Sequence, residues 1–205
     1  MNADLPGFES KDLGAGCNLW VGRLAIGLTP TEAEFEALWR LHPKECHEIQ
    51  MHGQLVKTPR WQQAYGMDYH YTGSINRALP IPPLVEPMLR WSLENIDSSL
   101  NGLLLNWYDG RLGHYIGRHR DSVHDMIPGA PIVTISLGED RTFRLRPWPS
   151  RVKNEPIDFP AQNGTVFVMP WETNRAFTHE VPASSRQNGR RISVTLRAFG
   201  GARKA

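Results

Sequence analysis

Apolar residues first fall into a helical rhythm at Phe35, Leu38, Trp39 and His42, which share one stripe when spaced at 3.6 residues per turn. Just upstream, Thr29-Pro30-Thr31-Glu32 reads as a helix start. Thr29 caps, Pro30 suits the first helical position and Glu32 completes a capping box. A second helix is predicted from about Pro83 to Asn95, with Leu84, Val85, Met88, Leu89 and Trp91 facing inward. Residues 1–19 show little periodicity and read as a loose leader. Between the helices, residues 46–82 read as strands and loops broken by Gly53, Pro59, Gly66 and Gly73.

Beyond residue 100 the rhythm changes to short β-rich runs: Leu103–Tyr108, Ile132–Leu137, Thr142–Arg146, Thr165–Met169 and Arg191–Phe199. Gly138-Glu139-Asp140-Arg141 is expected to join the second and third as a hairpin. The pattern predicts an α+β, mainly β fold, a sandwich or barrel backed by the two helices. Residues 1–28 are expected to form the leader, 29–100 the helices and a lid, and 101–205 the core, all within one structural domain.

Composition narrows the class. The 205 residues are 40% hydrophobic and 21% charged, which excludes disordered, collagenous and coiled-coil chains. No apolar run reaches the roughly 18 residues of a membrane span, so a soluble protein is expected. The first ten residues lack a basic stretch followed by an apolar one, and Cys17 and Cys46 are too few for a disulfide scaffold. The cytosol is the expected compartment, with nucleoid association in a bacterium. A net charge of +2 neither demands nor excludes nucleic acid.

Among eight histidines, His119 stands out, in Gly117-Arg118-His119-Arg120-Asp121. On an extended segment His119 and Asp121 share a face and supply two legs of a metal site. Alone, the pair reads more readily as a chance or structural contact. His179 is the candidate third leg, although alone it reads as a loop histidine. Two histidines and one carboxylate leave three positions open on an iron, as in non-haem Fe(II) oxygenases. The last strand, Arg191-Ile192-Ser193-Val194-Thr195-Leu196-Arg197, alternates strictly. One side carries Ile192, Val194 and Leu196; the other carries Arg191, Ser193, Thr195 and Arg197. Two guanidinium groups facing a barrel interior need anions, and a dicarboxylate suits their forked geometry. A solvated sheet face is the other reading.

Taken together, Asn106-x-Tyr108, His119-x-Asp121, His179 and Arg191-x₅-Arg197 resemble the AlkB-like Fe(II)/2-oxoglutarate dioxygenases. The likeness extends to Tyr108-Asp109-Gly110-Arg111, Val133–Gly138 and Arg141–Arg146, and to the Gln50-x-x-Gly53, Pro59-Arg60 and Tyr65-Gly66 elements, covering roughly residues 47–199. The resemblance implies a double-stranded β-helix (jelly roll) core with a nucleotide-recognition lid. It implies Fe(II) on His119, Asp121 and His179, with 2-oxoglutarate and O₂ as cosubstrates. Arg191 and Tyr108 would hold the distal carboxylate of 2-oxoglutarate, Asn106 and Arg197 would contact the end nearer the metal, and Ser193 would line the wall. Arg197 thereby joins the catalytic set. The implied reaction is oxidative demethylation of an N-alkylated base in DNA or RNA by a monomer, releasing formaldehyde, succinate and CO₂. The same chemistry on a small molecule or protein side chain is the alternative.

Substrate contacts follow from the same likeness. Tyr71 matches a stacking position over a flipped base, with Tyr69 two residues earlier; Met51 and His52 stand where a wedge enters the duplex. Arg60, Lys57, Arg141, Arg144, Arg146, Arg151 and Lys153 are candidate phosphate contacts. Nucleic-acid repair members often carry an acidic residue two positions after the iron-binding Asp; here that residue is Val123, and Asp125 is the candidate substitute.

Overall fold

The β-rich runs pair antiparallel into two sheets that close on a shared interior. A computed structural model describes residues 5–51, 53–71, 74–149 and 155–200, excluding the side chains of residues 51 and 71. Its elements are, in chain order, β1 (Glu9–Gly14), β2 (Cys17–Arg23), α1 (Glu32–Trp39), β3 (Glu48–Met51), β4 (Gln54–Lys57), β5 (Trp61–Tyr65), β6 (Tyr69–Tyr71), β7 (Ser74–Asn76), α2 (Glu86–Asn95), β8 (Gly102–Asp109), β9 (Ile116–His119), β10 (Ile132–Gly138), β11 (Arg141–Pro147), β12 (Ile157–Ala161), β13 (Thr165–Met169), α3 (Trp171–Ala176), β14 (Phe177–Val181) and β15 (Arg190–Arg197).

The larger sheet runs β1-β2-β13-β10-β15-β8-β5 and the smaller β12-β11-β14-β9; β3-β4 and β6-β7 are separate two-stranded ribbons. This is a jelly roll. Alternation assigns the two faces of the larger sheet. Leu105, Trp107, Val133, Ile135, Leu137, Ile192, Val194 and Leu196 pack outward beneath the helices, against Leu38, Trp39, Val85 and Met88. The opposite face joins the smaller sheet through Leu104, Phe143, Leu145, Phe159 and Phe167, and the Phe143 and Phe167 rings stack at 4.7 Å. No helix among the described residues is long and apolar enough to cross a membrane.

Three local expectations change. Residues 9–23 are not a loose leader: β1 and β2 form a hairpin, and β2 pairs with β13 in the larger sheet. The alternation of Cys17, Leu19 and Val21 is a strand signal too short to stand out alone. The first helix starts later, at the second of two overlapping Thr-x-x-Glu patterns. Thr31 Oγ1 accepts from the Glu34 backbone N–H, and Glu34 Oε2 accepts from the Thr31 N–H. His42 lies past the helix end and stacks on Trp61 at 4.1 Å. Finally, residues 138–141 do not make a hairpin. β10 and β11 belong to different sheets, and the chain crosses between them at Gly138. There φ is +86°, and a Cβ would lie 2.4 Å from the Arg190 carbonyl oxygen, so only glycine fits without displacement.

Candidate active site

Strand register builds the site. His119 on β9 lies directly opposite His179 on β14, with ring centroids 4.2 Å apart. Asp121 follows β9 by two residues, and its Oδ1 stands 3.6 Å from His119 Nε2 and 3.9 Å from His179 Nε2. One ligand atom from each residue lies within 4.8 Å of the others, and among the described residues these three form the only such cluster. The Gly117 carbonyl lies 2.8 Å from His119 Nδ1, which fixes the ring with Nε2 turned toward Asp121.

The charge states suit a cation. Burial opposes ionisation of Asp121, but the Arg197 guanidinium and the two imidazoles outweigh it and hold the carboxyl well below the usual range. Burial, reinforced by His119, pushes His179 down to about 3, so its ring is neutral at neutral pH. Arg197 donates from Nη2 and Nε to Asp121 Oδ2, at 2.6 and 3.2 Å. The Tyr69 hydroxyl donates to Asp121 Oδ1 at 3.4 Å, and Arg197 lies over the Tyr69 ring at 4.6 Å. Tyr69 is therefore a buried wall of the cluster.

The facing wall comes from the larger sheet. Ser193 pairs with Asn106 and with Ser136, and Asn106 pairs with Gln62, giving one polar row across four strands. Arg191 sits beside Tyr108, its guanidinium carbon 5.0 Å from the ring centroid. It donates from Nε to Ser136 Oγ at 2.9 Å, while Nη1 is buried without a partner among the described residues. Arg191 is only 1% exposed and no described carboxylate pairs with it. A buried guanidinium with an idle donor needs an anion. Asn106, Tyr108, Arg191, Ser193 and Arg197 line the same pocket as His119, Asp121 and His179. Metal ligands on one wall and an unneutralised Arg191 on the other fit an iron chelated by a diacid.

Several candidate substrate contacts sit elsewhere than expected. Arg60 is not on the surface: it is buried in the pocket wall and donates to Asn106 Oδ1 at 2.7 Å and Gln62 Oε1 at 2.8 Å. Arg141 is likewise buried, donating to the His114 carbonyl and to Gln187. Arg144 pairs with Asp158, Arg146 with Glu180 and Lys57 with Glu45. Asp125, the candidate substitute acid, turns its two oxygens to His70 and His124 at 2.8 Å each. It is absent from the pocket wall. His52, Arg151, Lys153 and the Met51 and Tyr71 side chains lie outside the described residues; β3 pairs antiparallel with β4, with Met51 opposite Gln54.

One supporting residue had no periodic signal. Asn174, on α3, accepts from the Asp121 N–H and donates to the Asp121 carbonyl, both at 3.1 Å. Thr173 anchors α3 by donating to the Asn18 carbonyl at 2.7 Å. A polar Thr-Asn pair five residues before a candidate metal histidine was the available clue. Asn174→Ala is expected to weaken metal binding by about 10–100-fold with little change in 2-oxoglutarate affinity, as removal of an outer support does at metal sites. Anaerobic titration with Co(II), followed by its visible absorption, measures this; wild-type affinity and spectrum would refute the role.

The chain matches the 2OG-Fe(II) oxygenase superfamily over residues 29–197. It is 29% identical over 158 residues to the DNA oxidative demethylase ALKBH2 of Mus musculus, an alignment covering 73% of this chain and 66% of that protein. The Homo sapiens ALKBH2 is 28% identical over 157 residues, covering 73% and 60%. The alpha-ketoglutarate-dependent dioxygenase alkB homolog 3 of Rattus norvegicus is 29% identical over 150 residues, covering 68% and 50%. The chain thus spans between half and two thirds of the length of these relatives. The OsALKBH1 structure shares the fold, with a TM-score of 0.59 at 14% identity, covering 93% of this chain and all of that one. With this match and the site geometry together, the chain belongs to the 2OG-Fe(II) oxygenase superfamily, whose members use Fe(II), 2-oxoglutarate and O₂.

Proposed function

We propose that the protein is a dioxygenase that oxidatively dealkylates N-alkylated bases in nucleic acid. The convergence of His119, Asp121 and His179 opposite a buried Arg191 with no anionic partner carries this reading. His119, Asp121 and His179 hold the Fe(II). Arg191, beside Tyr108, grips the distal carboxylate of 2-oxoglutarate, and Asn106 and Ser193 line the path toward the metal. Arg197 contacts the cosubstrate near the metal and keeps Asp121 ionised and aimed. When loaded, the centre oxidises a methyl C–H to C–OH while 2-oxoglutarate and O₂ yield succinate and CO₂. An N-hydroxymethyl group then leaves as formaldehyde, restoring the base.

The relatives named DNA oxidative demethylase support the nucleic-acid assignment. A second reading keeps the chemistry but changes the target to a small molecule or protein side chain. Val123 in the acidic position and the engagement of Asp125 by two histidines favour it. A screen of methylated DNA and RNA oligonucleotides with Fe(II) and 2-oxoglutarate, followed by mass spectrometry, separates the two. Loss of 14 Da per methyl group, about the mass of a CH₂ unit, with matching succinate is the expected result. Succinate formation that no methylated oligonucleotide stimulates would select the second reading.

A further inference from the structure

Five described surface arginines are neutralised by carboxylates: Arg77 by Asp68, Arg144 by Asp158, Arg146 by Glu180, Arg175 by Glu172 and Arg190 by Glu36. Arg118 and Arg120 are distinguished by their place beside the metal site and by a shared aromatic ring. They flank His119 and, on an extended segment, project away from the metal. Neither has a carboxylate partner among the described residues; their donors go to neutral oxygens instead. Arg118 donates to Thr178 Oγ1 at 2.8 Å and the Pro147 carbonyl at 3.3 Å, and Arg120 to the Arg175 carbonyl at 3.1 Å. Both guanidinium groups lean over one indole, that of Trp148, at 5.8 and 5.2 Å from the ring.

Trp148 is 46% exposed, unusual for so large an apolar ring. It lines a cleft with Arg118, Arg120 and Thr178, and His119 also stands in that cleft's wall. An adjoining cleft shares Arg120 and runs past Asp121 to Arg175. A positive, aromatic-floored track therefore leads outward from the edge strand that carries the first metal histidine.

We propose that Trp148 with Arg118 and Arg120 is a docking platform for the nucleic-acid strand flanking the nucleotide held at the metal. The indole stacks an unpaired neighbouring base, and the two guanidinium groups meet adjacent phosphates. Alternation of a π-face with fixed positive charge matches the base–phosphate repeat of a single strand. An acidic peptide would use the charges but has no repeating ring for the indole. The platform rests on the dealkylase reading for its neighbour and deepens it by assigning a subsite.

The test compares wild type with Trp148→Ala, Trp148→Phe and Arg118→Lys/Arg120→Ala. A methylated single-stranded oligonucleotide and the matching methylated mononucleoside serve as substrates. Trp148→Ala is expected to raise KM for the oligonucleotide about tenfold, the loss of one base–aromatic stack, with kcat unchanged. It should leave substrate-free succinate formation and turnover of the mononucleoside unchanged, and Trp148→Phe should retain most of the affinity. The arginine variant should flatten the salt dependence of oligonucleotide binding by about one phosphate contact. Equal KM values for wild type and Trp148→Ala would overturn the platform. Should wild type demethylate no oligonucleotide, the dealkylase reading fails by itself. Fluorescence anisotropy with an unmodified oligonucleotide then decides the platform: weaker binding by Trp148→Ala supports it, and equal binding overturns it. Polyglutamate binding as tight as the oligonucleotide would also overturn it.

Discussion

Replacing Asp121 with alanine is expected to abolish turnover and metal binding together. Asp121 is the only anionic member of the cluster, so the loss should exceed the roughly 10–100-fold that follows removal of an outer support alone. Alanine also leaves Arg197, only 3% exposed, as a buried charge without its carboxylate. Breaking such a pair from one side costs about 3–5 kcal/mol, so thermal stability should fall as well. Asp121→Asn is the milder change. It preserves the volume, the backbone bracket from Asn174 and an oxygen acceptor toward Arg197 while removing the charge, so it should lower stability less than alanine does, and metal binding should still collapse in a folded protein. Circular dichroism monitors folding, and anaerobic Co(II) titration monitors the site. A folded Asp121→Asn protein that binds metal as wild type does would contradict the assignment.

Loss of Arg191 should produce the opposite stability pattern. Its guanidinium is buried, carries an idle Nη1 and has no described carboxylate partner. Burial lowers its pKa, opposed by Tyr108 and reinforced by Arg141, as expected for a guanidinium held away from water. Arg191→Met should therefore leave the apoprotein at least as heat-stable as wild type. The same change strips the diacid of its distal partner. Truncating one side of a buried charge pair costs about 2–5 kcal/mol, so KM for 2-oxoglutarate should rise roughly 30-fold or more. Saturating cosubstrate should restore much of kcat, because Arg191 lies on the wall opposite the metal ligands. Steady-state succinate assays check this, and an unchanged KM would dismiss the proposed anchor.

The parts of the site legible in the sequence are those in which one strand carries its own information. His119 and Asp121 sit two apart on an extended segment, and the Arg191–Arg197 alternation sorts itself into two faces without reference to any partner. The structure keeps both features, and their convergence depends on register that no single segment displays. His179 meets His119 because β14 pairs with β9, and Asn106 meets Ser193 because β8 pairs with β15. The misplacements have the same origin. Arg60 reads as a surface cation until β5 brings its neighbour Gln62 alongside Asn106. Gly138–Arg141 reads as a tight turn because a sheet crossing and a hairpin use the same residues. Asn174 lies on a six-residue helix whose purpose appears only when its amide closes on the Asp121 peptide. Asp125 has suitable chemistry, but His70 and His124 already engage it.

The two walls of the pocket are unequally supported. The anion side belongs to a central strand, β15, flanked by β10 and β8, whereas His119 rides on β9, a four-residue strand at the margin of the smaller sheet. An ion gripped by His119, Asp121 and His179 would cross-link that margin to β14, so metal occupancy and closure of this corner form one equilibrium. Chelation would then loosen β9 first, while β15, paired on both sides, keeps Arg191 in place.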